Sequence, residues 1–270
     1  IEIISSLQNE NRTLDTPIDL FLTDAANPIN NSTINLVSQD AWLFFENMKP
    51  SKVMEKYKTA IKINGAAIDP YTDINCRVVV YKQGTVVIPH PDGFRPLETY
   101  TTANFGGNSQ KHLIDQYYTN EPYKEIPADR IEALENDNSI RSFKLKRGYM
   151  ATFANEPDGM GYSRCFIADE EDLEISQLQV ELDGKVSFIR VFPWEWVSKK
   201  GWVGTYWGPG DDGKGGLDEG LRYVDEQADL TNSTWYYTWG ASVYGSKNAT
   251  ETNLINQEFV PEKWGKGGNV

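Results

Sequence analysis

Apolar positions are unevenly distributed along this chain, and four kinds of segment succeed one another. Residues 4–35 are rich in Asn, Ser, Thr and Asp, a pattern that predicts an exposed polar lead-in over residues 1–35. Residues 36–65 begin with an apolar strand, meet Pro50, and continue as a short helix-like stretch. Residues 76–89 (CRVVVYKQGTVVIP) read as a Val-rich β-hairpin about Gln83-Gly84. Together 36–92 form a small β-rich N-terminal domain. The turn formers of 91–97 (PDGFRPL) separate it from the next domain.

The next hundred residues contain an internal repeat. The first copy carries Tyr100, Gly107 and Ser109, then Asp137-Asn138-Ser139-Ile140-Arg141-Ser142-Phe143-Lys144-Leu145. The second carries Phe153, Gly161 and Ser163, then Asp183-Gly184-Lys185-Val186-Ser187-Phe188-Ile189-Arg190-Val191. Each half reads as an aromatic strand, a Gly-kinked turn, a strand with Ser, a loop and an apolar closing strand. Four strands per half make a Greek key, and two such units pack as a sandwich.

From Pro193 the pattern changes again. Residues 201–207 (GWVGTYW) read as a strand, followed by a Gly-rich loop at 208–216 that lacks the GK[ST] ending of a phosphate-binding loop. Leu217, Leu221 and Val224 share one face of an amphipathic helix over 217–228. Strands at 235–239 and near 258–264 complete the segment. Strand, helix, strand is the grammar of a parallel sheet or barrel.

Composition sharpens this division. Seven of the eight Trp lie after residue 193, so the two ends of the chain need different explanations. Charged residues make up 24% and hydrophobic ones 39%, which fits a globular chain. The net charge of −13 argues against a nucleic-acid partner, whose binding starts with clustered cations, and against anionic lipid. No apolar run approaches the roughly 18 residues of a transmembrane helix. Cys76 and Cys165 sit in apolar strand-like runs and read as two buried free thiols, with a disulfide as the lesser alternative. His90 and His112 stand alone, which leaves no support for a transition-metal site or a His-based triad. The start at Ile1 without an initiator Met reads as a processed, trimmed or engineered end. A secreted, periplasmic or outer-surface location is expected.

The repeat resembles the βγ-crystallin family, whose motif is an aromatic, six residues, Gly, one residue, Ser. Tyr100–Ser109 has that spacing, and Phe153–Ser163 carries one extra residue before its Gly. The resemblance covers residues 93–192. It implies that Gly permits the folded hairpin, Ser ties it, and the aromatic covers it. Calcium-binding members of the family carry [DN][DN]xx[ST]S loops. The copies here begin at Asp137 and Asp183, offset by 46 residues. Arg141 stands where the first loop needs a hydroxyl, and Gly184 and Phe188 replace donors in the second. Calcium at Asp137 and Asp183 is therefore the lesser reading beside plain structural turns, and no other cofactor is expected. The acidic stretch from Phe166 to Asp183, with seven carboxylates and no cation, reads as a solvated loop face. Asn155-Glu156-Pro157, a tripeptide that carries the acid/base in many barrel glycosidases, falls inside the second hairpin turn and reads as coincidence.

A second resemblance covers 198–265. Lys199-Lys200-Gly201-Trp202, Trp235-Tyr236-Tyr237-Thr238-Trp239-Gly240 and Glu258-Phe259-Val260-Pro261-Glu262-Lys263-Trp264-Gly265 resemble the opening strands of glycoside hydrolase family 128. That family consists of (β/α)₈ enzymes that cleave β-1,3-glucan with two Glu residues. Such a barrel needs roughly 200 residues, so residues 193–270 are expected to be its incomplete start, and the catalytic carboxylates are expected to lie outside this chain. Trp207, Trp239 and Trp264 end their strands and are the candidate carbohydrate-binding residues, while Trp194, Trp196 and Trp202 read as packing residues at a domain junction.

The expected fold class is mainly β: a small N-terminal β-rich domain, a βγ-crystallin-like Greek-key sandwich, and an incomplete C-terminal βα segment. The expected function is that of the N-terminal part of a secreted or surface glycoside hydrolase acting on β-glucan, with β-1,3-glucan favoured. The alternative is a non-enzymatic carbohydrate-binding or adhesion protein. Polysaccharide is the expected partner in both.

Overall fold

The computed structural model describes residues 1–91, 93–121, 126, 128–196, 201–203, 233, 235–237 and 258–259. The chain divides into two compact units, residues 1–92 with 196–270 and Gly93–Glu195.

Within the first unit, the stretch from Glu2 to Pro89 forms a parallel β-solenoid with antiparallel closing strands. Its first coil holds β1 (Glu2–Ile4), β2 (Leu7–Gln8) and β3 (Asn11–Leu14). The second holds β4 (Asp19–Leu22), β5 (Ile29–Asn30) and β6 (Thr33–Leu36). The third holds β7 (Trp42–Phe45), helix α1 (Pro50–Tyr57) and β8 (Ile61–Ile63). Equivalent strands of successive coils pair in parallel, β1 to β4 to β7, β2 to β5, and β3 to β6 to β8. The short strand β9 (Ala66–Ala67) closes one sheet antiparallel to β8. The hairpin of β10 (Cys76–Tyr81) and β11 (Gly84–Pro89) closes the other, with β11 antiparallel to β7.

Residues 1–35 are therefore not an exposed lead-in but two full coils. Leu7, Leu14, Leu20, Leu22, Ile29 and Ile34 point inward and form one continuous core with Leu43, Phe45 and Ile61. The polar residues that suggested exposure build the corners. Asn9 and Asn31 come directly after equivalent strands and both adopt the left-handed conformation, which Asn tolerates better than most residues. In the third coil α1 starts at Pro50, whose missing N–H costs nothing at a helix start. Pro50, Val53 and Tyr57 form its buried stripe, and Tyr57 stacks on Phe45 at 6.0 Å.

The second unit is a sandwich of two sheets. Its strands are β12 (Leu97–Thr102), β13 (Gly106–His112), β14 (Tyr117–Tyr118), β15 (Ile131–Glu132), β16 (Ser142–Leu145), β17 (Tyr149–Ala154), β18 (Ser163–Ala168), β19 (Leu173–Ile175) and β20 (Phe188–Pro193). One sheet has the order β13-β12-β16-β19 and the other β15-β14-β20-β17-β18. Each repeat thus lends its third strand to the sheet of the other repeat, β14 in one direction and β19 in the other. This exchange makes the halves interdependent, and Leu97, Tyr118, Phe143, Phe153, Phe166 and Ile189 belong to one shared core.

The pairing also fixes which residues of the two repeats correspond. Tyr100 lies opposite Ser142 as Ala154 lies opposite Phe188. Ala154, not Phe153, answers Tyr100, and the extra residue seen in the sequence disappears. Phe153 points into the core, 0% exposed, where Thr99 stands in the first repeat.

Three more strands, β21 (Gly201–Val203), β22 (Trp235–Tyr237) and β23 (Glu258–Phe259), pair in parallel in chain order. The helix expected over 217–228, and Trp207, Trp239 and Trp264, lie outside the described residues. Both cysteines are free, but only Cys76 is buried; Cys165 is exposed because it sits on the outer side of the edge strand β18. Among the described residues no helix is long and apolar enough to cross a membrane.

Candidate functional site

The loops beginning at Asp137 and Asp183 meet across the sandwich and bond reciprocally. Asn138 N–H donates to the Val186 carbonyl, and Gly184 N–H donates to the Ile140 carbonyl, both at 2.9 Å. Asn138 and Gly184 are both left-handed, so the loops share one backbone shape. Their side chains differ. Ser187 Oγ donates to Asp137 Oδ1 at 2.7 Å, whereas Arg141 Nη1 donates to Asp183 Oδ2 at 2.9 Å.

Calcium takes six to eight oxygens, and the side chains of the two loops supply few of them. The guanidinium of Arg141 already occupies the cation side of Asp183. Asp137 has one hydroxyl partner, and its Oδ1 also receives Asn138 Nδ2 at 3.1 Å. Among the described residues no three His, Cys, Asp or Glu gather as a metal site. The loops work as a clasp between the repeats.

The hairpins behind them are tied differently from expectation. Asn108 N–H donates to Thr101 Oγ1 at 2.9 Å, and Tyr162 N–H to Asn155 Oδ1 at 2.8 Å, at equivalent positions. Gly107 and Gly161 are left-handed, and a Cβ on either would strike that same acceptor side chain. Ser109 and Ser163, expected to make the tie, are exposed. In the first repeat the tie is made by Ser142, whose Oγ donates to the Thr102 carbonyl at 2.7 Å and accepts Phe105 N–H at 3.0 Å. Glu156 lies exposed in the second hairpin, its carbonyl accepting Gly159 N–H.

A cleft lies on the solenoid. Solenoid strands alternate, so residues flanking the inward Leu20, Leu22, Leu43 and Phe45 face outward. Register places Ile3, Phe21 and Phe44 side by side across β1, β4 and β7, with Val86 next on β11 and Val79 beyond it on β10. An outward row of this kind is normally polar; here it is entirely apolar. Phe21 and Phe44 stack at 4.1 Å, and Tyr81 meets Phe44 edge-on at 4.9 Å. Trp196 packs edge-on against Trp42 at 5.6 Å and Tyr81 at 5.3 Å, which extends the aromatic cluster.

At one end of this row a cleft of about 480 Å³ opens over Ile3, Phe21, Phe44 and Tyr81, with Thr23, Glu46, Asn47, Lys82 and Gln83 at its rim. Lys82 and Gln83 form the hairpin turn, one residue earlier than the sequence suggests. Gly84 lets that turn press against β7, because any Cβ there would overlap the Phe45 carbonyl. Lys82 Nζ sits 4.7 Å from the Tyr81 ring. An apolar floor with a few polar rim groups is the build of a small-molecule site. Glu46 is the one carboxylate among the described lining residues, so the cleft can hold a ligand but lacks the facing pair that hydrolyses a glycosidic bond.

No family model matches the chain, and no curated protein does. Solved structures do show similarity. A βγ-crystallin domain from Flavobacterium johnsoniae is 23% identical, covering 36% of this chain and 94% of that domain, with a TM-score of 0.28. The N-terminal domain of protein S is 22% identical, with the same two coverages and a TM-score of 0.27. A βγ-crystallin domain from Clostridium beijerinckii is 14% identical, covering 36% of this chain and 98% of that one, with a TM-score of 0.27. The double Greek key itself rests on the strand order and exchange described above.

The sequence signals thus lead to different places. Asp137 and Asp183 come together as a clasp, and the three Trp lie outside the described residues. The cleft residues Ile3, Phe21, Phe44 and Tyr81 were missed. A signal for them existed in the alternation of Asp19-Leu20-Phe21-Leu22, which leaves an aromatic on the polar phase of a strand.

Proposed function

We propose that this chain is the accessory, sugar-binding region of a secreted or surface glycoside hydrolase acting on β-glucan, with β-1,3-glucan the favoured substrate. The observation that carries the reading is the cleft over Ile3, Phe21, Phe44 and Tyr81. A sugar ring offers apolar C–H faces to such a floor and hydroxyls to a rim of mixed donors and acceptors. With one Lys and one Glu, that rim suits a neutral ligand. The parallel order of β21, β22 and β23 agrees with the start of a βα barrel, although it is common to every sheet built from βα units.

Binding to insoluble β-1,3-glucan tests the reading, with tryptophan fluorescence as a second readout because Trp42 and Trp196 adjoin the cleft cluster. Ile3 is 68% exposed, so Ile3→Asp puts a charge into the cleft without disturbing the core. The variant should lose at least about tenfold in affinity, the effect of some 1.4 kcal/mol. Failure of the unaltered protein to bind any β-glucan would sink the proposal. Release of reducing ends from the same polymer separates an enzyme from the alternative, a non-enzymatic binding or adhesion protein.

A further inference from the structure

The two repeats of the sandwich place a cation at the same spot on the outer face of each sheet and treat it differently. On the first sheet that cation is Lys144 of β16, flanked by Glu98 on β12 and Glu174 on β19. Lys144 Nζ donates to Glu174 Oε1 at 2.8 Å. On the second sheet the same position of β20 is Arg190, flanked by Thr152 on β17 and Tyr117 on β14. Both carboxylates of the first site are replaced there, one by a hydroxyl and one by an aromatic ring.

Arg190 is half-buried and sandwiched, with its guanidinium carbon 4.3 Å from the Tyr117 ring and 3.8 Å from the Phe192 ring. Its Nε is buried without an acceptor, and no carboxylate pairs with it among the described residues. Burial lowers its pKa, Tyr117 and then Asp115 oppose that shift, and the charge of Arg130 adds to it. The neighbouring outward positions include Phe192, Met150 and Ile167 beside the small polar Thr152 and Cys165, so the face around Arg190 mixes apolar groups with small polar ones and, among the described residues, holds no carboxylate. A half-buried guanidinium stacked on two rings and paired with no carboxylate keeps its terminal N–H groups for a planar carboxylate.

We propose that the outer face of the second sheet binds a carboxylate carried on a glycan, with Arg190 supplying to the ligand the partner that Lys144 supplies to Glu174. The site rests on the glycan reading above for the body of the ligand, but not for its charged group. A glycan suits the position better than a peptide. β20 is paired on both sides, by β14 and β17, and so has no free strand edge for main-chain hydrogen bonds. Aromatic and Met side chains remain to meet sugar ring faces. The net charge of −13 repels a polyanion, so the carboxylate is an isolated one, such as a terminal uronic acid on a neutral chain.

The test titrates the whole protein with a glucuronic-acid-terminated β-gluco-oligosaccharide, with the matched neutral oligosaccharide, and with a short acidic peptide. The NMR signal of the Arg190 Nε–H reports on the site directly. The acidic sugar should shift that signal. Arg190→Gln should weaken its binding at least about tenfold, the usual weight of a charge-assisted hydrogen bond. Arg190→Lys should restore part of it, and Lys144→Gln should change nothing. Equal binding of the neutral sugar, an unchanged affinity in Arg190→Gln, or an Nε signal unmoved by the acidic sugar would overturn the proposal. Stronger binding of the peptide would overturn the glycan assignment. Because the Nε signal reads this face alone, a negative result at the solenoid cleft leaves the outcome here independent.

Discussion

The two halves of the Greek-key sandwich share a backbone and fill it with different side chains. Left-handed glycines at 107 and 161, reciprocal N–H donation between the 138 and 184 loops, and the mutual loan of a third strand are common to both. In the core, the first half places Thr99 and His112 where the second places Phe153 and Phe166. At the hairpin, Ser142 stands opposite Tyr100 where Phe188 stands opposite Ala154. At the clasp, Arg141 meets Asp183 where Ser187 meets Asp137. The backbone plan constrains φ and main-chain bonding tightly, and it leaves each side-chain contact with more than one chemical solution. Exchanging those solutions measures how far the halves are equivalent.

The core pair carries the largest expected difference. His112 is fully buried, with Nε2 2.9 Å from Thr99 Oγ1 and its ring edge-on to Tyr118 at 4.4 Å. Burial, with a smaller contribution from Arg95, pushes its pKa down to about 3. The unfolded chain takes up this proton near pH 6.5 while the folded one refuses it, so stability is complete above pH 6.5 and falls as pH drops toward 3. By pH 4.5 the loss should reach about 2–3 kcal/mol. Replacing the pair with Thr99→Val and His112→Phe gives the first half the second half's apolar chemistry and should remove that loss. Denaturant melts of both proteins between pH 6.5 and 4.5 check it, and parallel slopes would refute the assignment. His90, lowered to about 4 by burial in the solenoid, is present in both proteins and cancels.

The hairpin tie comes next. Ser142→Ala removes a buried hydroxyl that serves both the Thr102 carbonyl and the Phe105 N–H, leaving each without that partner. The expected cost is about 1–3 kcal/mol, the usual penalty for stranding a buried polar group. Amide exchange at Phe105 should accelerate with it. An unchanged melt and unchanged exchange would show that the tie lies elsewhere.

These correspondences also mark what the sequence could reveal. The repeat was legible because its information is local: Asp137 to Leu145 and Asp183 to Val191 each hold a loop and a closing strand in one run. The strand exchange was not, since nothing in Tyr117-Tyr118 or Leu173–Ile175 says which sheet those residues join. In the solenoid the failure was one of length. Strands of two to four residues separated by Asn corners give too few alternations to register as period two, and polarity at the corners dominates the average. The cleft was lost with it, because Ile3, Phe21 and Phe44 become neighbours only when the coils stack. The unpaired cation at Arg190 was hidden in the same way, since its missing carboxylate is visible only by comparison with Lys144 across strands far apart in the chain.

Where the halves agree, substitution should treat them alike. Gly107→Ala and Gly161→Ala each force an L side chain into the left-handed region and into the acceptor that holds the hairpin. Each should cost about 1–2 kcal/mol from backbone conformation alone. The measured values should match within about 0.5 kcal/mol, the spread expected of independent sites. A large inequality would mean that one hairpin is held chiefly by its side chains, with Phe188 under Gly159 in the second half the natural suspect.

The smallest effect belongs to the clasp. Arg141 and Asp183 make the more conspicuous contact, yet the Arg141 side chain is 47% exposed and its charge is well screened. Arg141→Ser rebuilds the Ser–Asp pairing of the opposite loop and should change stability by less than about 1 kcal/mol. The reciprocal main-chain bonds at 138 and 184 remain in place and carry the register of the two loops. The salt dependence of the denaturant melt should be slightly different in the variant and the unaltered protein, because one of several screened ion pairs is gone. A loss well above 1 kcal/mol would place the weight of the clasp on its side chains and make the two loops unequal partners.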